Sequence, residues 1–201
     1  MGTEIGFDGQ VTYNFNFQNL VTAEPVKVWT GVAARSSSST STFEVRSGST
    51  VLRTFSIAPV GTSYIADAGR NNESNFSFIS NSPSFPIQIV YQRPDFNSKA
   101  WPDFVTVNAI RQLRYENTPL AFRSLSSVGT DAVSRFNIEN WNGNTEVWDV
   151  TDLFDIKRVS FNSGSFKYAT ASLKEFVVFE TPAAAPVAIG KVGNQNLHGL
   201  P

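Results

Sequence analysis

A chain of 201 residues with no cysteine and a formal net charge of −1 is long enough to bury its own core without a disulfide or metal. The charge balance leaves no basic surplus for a phosphate backbone, and the missing thiol excludes a cysteine nucleophile, a disulfide framework and a thiolate metal site within the chain. Hydrophobic residues at 41% against 16% charged, with 17 Phe, suit a β-sandwich better than a helical bundle.

Period-two alternation dominates from the start. Val11, Tyr13, Phe15 and Phe17 interleave with Thr12, Asn14, Asn16 and Gln18, which predicts a strand with one apolar face. A second strand is expected over Pro25 to Ala34, followed by a loop at Ser36 to Ser39. Thr42 to Ile57 reads as a hairpin about the turn Ser47-Gly48-Ser49. Ala66 to Asn75 is polar and carries a glycine, so a long loop is expected there, with a strand beginning at Phe76 and Phe78. Pro83 and Pro86 are read as breaks, and Ile87, Ile89 and Tyr91 resume the alternation. Arg93 to Pro102 is expected to be a loop, and Phe104 to Tyr115 a strand, because Val105, Val107 and Ala109 alternate.

Asn117-Thr118-Pro119 predicts a turn and Leu120 to Arg123 a short strand. Strands follow at Asp131 to Ile138, Thr145 to Val150 and Glu175 to Glu180, with a turn at Asn140 to Asn144 and a hairpin turn at Phe161 to Ser165. Trp148 lies within an alternating run and is placed in the core. From Thr181, Pro182, Pro186 and a run of alanines lead into a Gly- and Asn-bearing stretch that reads as a linker. The fold class is therefore all-β: an antiparallel, jelly-roll-like β-sandwich over residues 1–180, with a subdivision considered near 125–130, and an irregular C-terminal linker over 181–201. No run of about 18 apolar residues and no basic amphipathic stretch is present, so no direct membrane insertion is expected. Met1-Gly2-Thr3-Glu4 is not a signal peptide.

Candidate chemistry is sparse. His198 is the single histidine and lies in the linker, so a Ser-His-Asp triad would depend on it alone. Asp149, Asp152 and Asp155 recur at intervals of three and are the candidate calcium ligands, but the alternate acids, central Gly and closing Glu of an EF-hand are missing. The competing reading is turns in which each Asp bonds its local backbone. Glu4, Asp8, Glu44, Asp103 and Glu139 are the carboxylates from which a glycosidase pair could be drawn, though such scattered acids suit any hydrated surface. Trp29, Trp101, Trp141 and Trp148 could line a sugar platform. Nothing in the sequence asks for a cofactor.

Three segments resemble one family. They are Trp101 to Ala109 with Arg111 to Leu113 and Ala121 to Arg123, then Glu146 to Asp152, then Lys191 to Leu200. In this order they resemble the region preceding the peptidase domain in PorU-type sortases of the type IX secretion system, which are gingipain-like cysteine peptidases of Bacteroidetes. The resemblance implies an exported protein at the outer membrane and cell surface, with its signal outside this chain. It implies a non-catalytic β module whose partners are its own downstream peptidase domain and other type IX secretion proteins or cargo. The family's Cys-His chemistry has no counterpart here, because the chain has no Cys. Asn194, Gln195, Asn196, Leu197 and His198 are then the expected docking residues between the module and the peptidase domain. The alternative is a carbohydrate-binding jelly-roll module of an exported protein.

Overall fold

A computed structural model describes residues 3–6, 9–63 and 65–181. The chain falls into two units, Met1–Gln112 and Leu113–Pro201. The sequence carries no Pro- or Gly-rich linker at this boundary; it is visible only in the backbone hydrogen bonds. The Gln112 N–H donates to the Asn19 carbonyl (2.8 Å) and ties residue 112 into the first unit. The Tyr115 N–H donates to the Glu139 carbonyl (3.0 Å), and the Glu139 N–H to the Leu113 carbonyl (2.8 Å), within the second.

The first unit contains β1 (Gln10–Asn16), β2 (Val26–Arg35), β3 (Ser41–Ser47), β4 (Thr50–Ile57), β5 (Arg70–Phe78), β6 (Ser84–Gln92) and β7 (Lys99–Asn108). They form two antiparallel sheets, β1-β6-β3-β4 and β5-β2-β7. Alternation sets which residues point between them: Phe43 and Val45 on β3, Phe85, Ile87 and Ile89 on β6, and Val26, Val28, Val32 and Ala34 on β2 are all buried. Val32 and Ala34 from one sheet share a cluster with Phe43, Ile89 and Tyr91 from the other, so the unit is a β-sandwich.

The second unit contains β8 (Leu120–Arg123), β9 (Val133–Asn137), β10 (Thr145–Asp149), β11 (Lys157–Arg158), β12 (Ser165–Ala169) and β13 (Glu175–Glu180), with one 3-10 turn at Leu125–Ser127. The sheet β11-β10-β13-β8 and the antiparallel pair β12-β9 enclose a core of Phe136, Phe166, Val147, Phe176 and Val178. Phe136 and Phe166 are direct cross-strand partners with ring centroids 5.1 Å apart. The turns use residues that tolerate positive φ, including Asn117 and Asn140 (both 57°) and Gly164 (77°).

Several sequence expectations need correction. Residues 70–75 are not loop: β5 begins at Arg70 and pairs with β2 from Ala34↔Arg70 to Val26↔Phe78. Its polar alternation hid it, because Asn71, Glu73 and Asn75 all lie on the exposed face. Residues 99–102 likewise belong to β7. Pro86 and Pro102 lie inside strands where they cost little. β3 pairs with β6 only from Gln88 onward, and Pro102 sits on an edge strand beside a register shift at Gly31/Val32. Trp148 is half-buried, not core. In the run Thr145 to Val150, the inward positions are Thr145, Val147 and Asp149, and Trp148 takes the opposite face. The linker residues Asn194, Gln195, Asn196, Leu197 and His198, and also Asp8, lie outside the described residues.

Candidate functional site

Two groupings combine exposed or buried functional side chains. The first is the outer face of β5-β2-β7. On β2, Trp29 points outward and is 44% exposed, while Thr30 behind it is fully buried and its hydroxyl donates to the Phe104 carbonyl (3.0 Å). Gly31, the next outward position, pairs with Phe104, and Ala33 pairs with Trp101. These small residues let aromatic side chains of β7 share the face with the β2 backbone. A Cβ on Gly31 would stand 2.6 Å from the Phe104 ring, so the glycine is required by this close approach. The Trp29 and Phe104 rings meet edge-on with centroids 4.8 Å apart. The Trp29 indole N–H donates to Glu73 Oε2 (3.1 Å), which fixes the ring. Asn71, Asn75 and Thr106 complete a face that mixes aromatic area with amide, carboxylate and hydroxyl groups.

The second grouping is the acidic segment of the second unit. Asp149 is buried at 7% exposure. Its Oδ1 accepts the Thr151 N–H (2.9 Å) and its Oδ2 accepts the Tyr168 hydroxyl (2.6 Å). Burial raises the Asp149 pKa, but the hydrogen bonds from Thr151 and Tyr168 outweigh it, and the net position is below the usual carboxylate value. The same hydrogen bond, followed by burial, pushes the Tyr168 phenol up to about 12. Asp152 Oδ1 accepts the Phe154 N–H (2.9 Å), and Asp155 pairs with Lys157 (2.7 Å), whose pKa that hydrogen bond raises. Each carboxylate thus serves its own turn or neighbour. Among the described residues no three acidic or histidine side chains form a metal-holding group.

The remaining candidates are dispersed. Glu4 pairs with Lys99 (3.2 Å), Glu44 binds Arg46 and the Gln92 amide, and Asp103 is exposed at the register shift on β7. Glu139 lies in the second unit, 4.0 Å from Arg114. Trp141 packs edge-on against Phe161, with centroids 5.9 Å apart. Trp148 packs edge-on against Phe179 and donates to Glu146 Oε2 (3.0 Å). Sequence reasoning missed the roles of Gly31, Glu73, Phe104 and Tyr168. Only Gly31 gave a signal, as a glycine interrupting a strand pattern.

No protein-family model matches the chain, and no curated protein does. Among solved structures, its fold matches dimeric latent PorU from Porphyromonas gingivalis with a TM-score of 0.79 and 19% sequence identity. The chain has the fold of a PorU segment. The match takes in 100% of this chain and 20% of that PorU chain, so this chain spans about one fifth of its length. Gly31, Trp29 and Phe104 thus sit on the outer sheet face of a PorU-like β unit, and Asp149 and Tyr168 in the unit that follows it in sequence.

Proposed function

We propose that this chain is a non-catalytic β module of a PorU-type surface sortase, which supports the peptidase domain and contributes contacts to cargo or secretion partners. The observation that carries the reading is the fold match along the whole chain to one fifth of PorU. The residue patterns at 101–123, 146–152 and 191–200 point to the same region independently. The chain has no thiol, and among the described residues Asp149, Asp152 and Asp155 are engaged in turns and an ion pair. On this reading it works outside the cell, at the outer membrane surface.

The test has two parts. The isolated chain should not turn over peptides spanning a cargo cleavage site; turnover that disappears in His198→Ala would refute the non-catalytic reading. Amide exchange should then be slower at residues 183–201 in a protein that continues into the peptidase domain than in this chain alone. Equal exchange would remove the docking role of Asn194 to His198. A second reading, carbohydrate binding, is favoured by the mixed aromatic and polar face around Trp29 and Phe104. A glycan array separates the two: selective binding lost in Trp29→Ala supports the sugar module, and a blank array supports the protein-contact module.

A further inference from the structure

β1 ends the four-stranded sheet of the first unit and pairs with β6 residue by residue, from Gln10↔Val90 to Asn16↔Ser84, with no register shift. Among the described residues its backbone ladder runs to β6 alone, so alternate residues present N–H and C=O groups outward. Sheets blunt such a row with charge, proline, a bulge or shortness. Every other edge strand among the described residues carries one of these devices. β7 has Lys99, Pro102 and the register shift at Gly31/Val32, β4 has Arg53, and β5 has Arg70 and Glu73. In the second unit β8 is 4 residues long and ends in Arg123, β11 is Lys157–Arg158, and β9 and β12 carry Arg135 and Lys167. β1 has none: from Gln10 to Ala23 the sequence holds no charged residue, proline or glycine.

The side chains beneath that edge are incompletely covered. Val11, Tyr13 and Phe15 point between the sheets but stay half-buried, whereas their direct partners on β6, Ile89, Ile87 and Phe85, are 0%, 0% and 5% exposed. The opposite side of the sandwich is laced shut. There the Arg53 Nε–H donates to Ser74 Oγ and the Asn72 amide to the Ser56 carbonyl, both at 2.9 Å, and these bonds join β4 to β5. Near each end of β1 the chain closes the gap itself. The Ile5 N–H donates to the Ala100 carbonyl (2.8 Å), and the Ile5 side chain, 2% exposed, enters the cluster that Val11, Tyr13 and Val105 border. Past the other end, Leu20 bridges to Arg111, and the Val21 N–H donates to the Ile110 carbonyl (2.9 Å). Between these closures the unpaired backbone row and the half-covered apolar side chains coincide.

We propose that β1 is a docking strand for an extended, uncharged segment of another protein, which adds a further strand to this sheet. A row of backbone donors and acceptors is matched by another backbone, which selects a polypeptide over a sugar or a lipid. In the added strand, side chains on one face recur about every 7 Å and alternate with those on the other. Residues turned toward the sandwich meet Val11, Tyr13 and Phe15 and are apolar; those between them lie beside Thr12, Asn14 and Asn16 and are polar. β1 offers no charge to pair with, and a charge set against its apolar side would lose water without gaining a partner. The inference stands on the first unit alone and is independent of the sortase reading.

The test uses the 201-residue chain and an end-capped synthetic peptide of 7 residues, the length of β1, in which Val and Ile alternate with Thr and Gln. Residue-resolved amide exchange at saturating peptide should slow at least about tenfold at alternate residues of Gln10–Asn16 and stay unchanged in β4, β7 and β8. A peptide of the same composition with the alternation broken should bind at least about tenfold more weakly. N-methylation of one alternate set of peptide amides should abolish binding, and of the other set should not, because one edge of the peptide faces β1. Unchanged exchange in β1, slowing at another edge instead, or equal binding by the reordered peptide or by both methylated peptides would overturn the proposal. Slowing in β1 that grows with protein concentration in the absence of peptide would overturn it in favour of a second copy of the chain.

Discussion

Phe176→Ala and Trp148→Ala should reverse the order of cost that ring size alone suggests. Phe176 is 1% exposed on β13. Its ring lies 5.1 to 5.3 Å from those of Phe122, Phe136, Phe166 and Tyr168, at the centre of the second unit. Truncation there leaves a cavity among four aromatic neighbours, and buried Phe→Ala changes cost about 3–5 kcal/mol. A domain of about 60–100 residues loses about 4–8 °C per kcal/mol, so the second unit should melt at least about 12 °C lower. Trp148 occupies the opposite face of β10, with one edge contact to Phe179 and one hydrogen bond to Glu146. An aromatic pair is worth about 0.5–1.5 kcal/mol beyond area burial, so Trp148→Ala should cost about 1–2 kcal/mol. The assay is urea unfolding followed by far-ultraviolet circular dichroism, which does not depend on the deleted indole. If Trp148→Ala proves the costlier change, the facing of β10 assigned here is wrong, and with it the register from Thr145↔Glu180 to Asp149↔Phe176.

Three further outcomes follow from particular contacts. Tyr168 has a folded-state pKa of about 12, above its ordinary value of 10, so its contribution is complete below about pH 10 and is lost as pH rises toward 12. Stability curves for wild type and Tyr168→Phe should therefore converge in that window, and parallel curves would contradict the Asp149 hydrogen bond. Asp149 is shifted the other way, so its contribution is present above the ordinary carboxylate pKa and is lost as pH falls through its own lower value; Asp149→Asn should flatten that acid limb of the stability profile. Gly31→Ala should displace the Phe104 ring, cost about 1–3 kcal/mol and change the Trp29 emission; unaltered fluorescence would deny the close approach.

Alternation made most of the first unit legible, because Phe43, Val45, Ile87 and Ile89 carry the period-two signal of strands with one buried face. The short strand Leu120–Arg123 and the last strand Glu175–Glu180 were readable to their ends. β5 was hidden because its apolar signal begins only at Phe76, and its remaining stability comes from pairing with β2, which a local pattern does not carry. Val147 and Trp148 are adjacent and both apolar, so the local pattern put Trp148 in the core, whereas Thr145, Val147 and Asp149 are the inward positions of β10. The division at Gln112 was invisible for a similar reason: it is marked by partners at Asn19 and Glu139, far away in sequence. The aromatic face was legible only in part. Trp29 and Trp101 stood out by type, but Gly31 and Glu73 gain meaning only when β2 is flanked by β5 and β7.

The proposal that this chain is a module of a PorU-type sortase is tested most directly by measuring cargo-tail processing by such a sortase with and without this module, both forms exported to equal levels. The account predicts that removing residues 3–181 abolishes processing or reduces it at least about tenfold, although the peptidase domain is unchanged in sequence. Processing at the undiminished rate would contradict it.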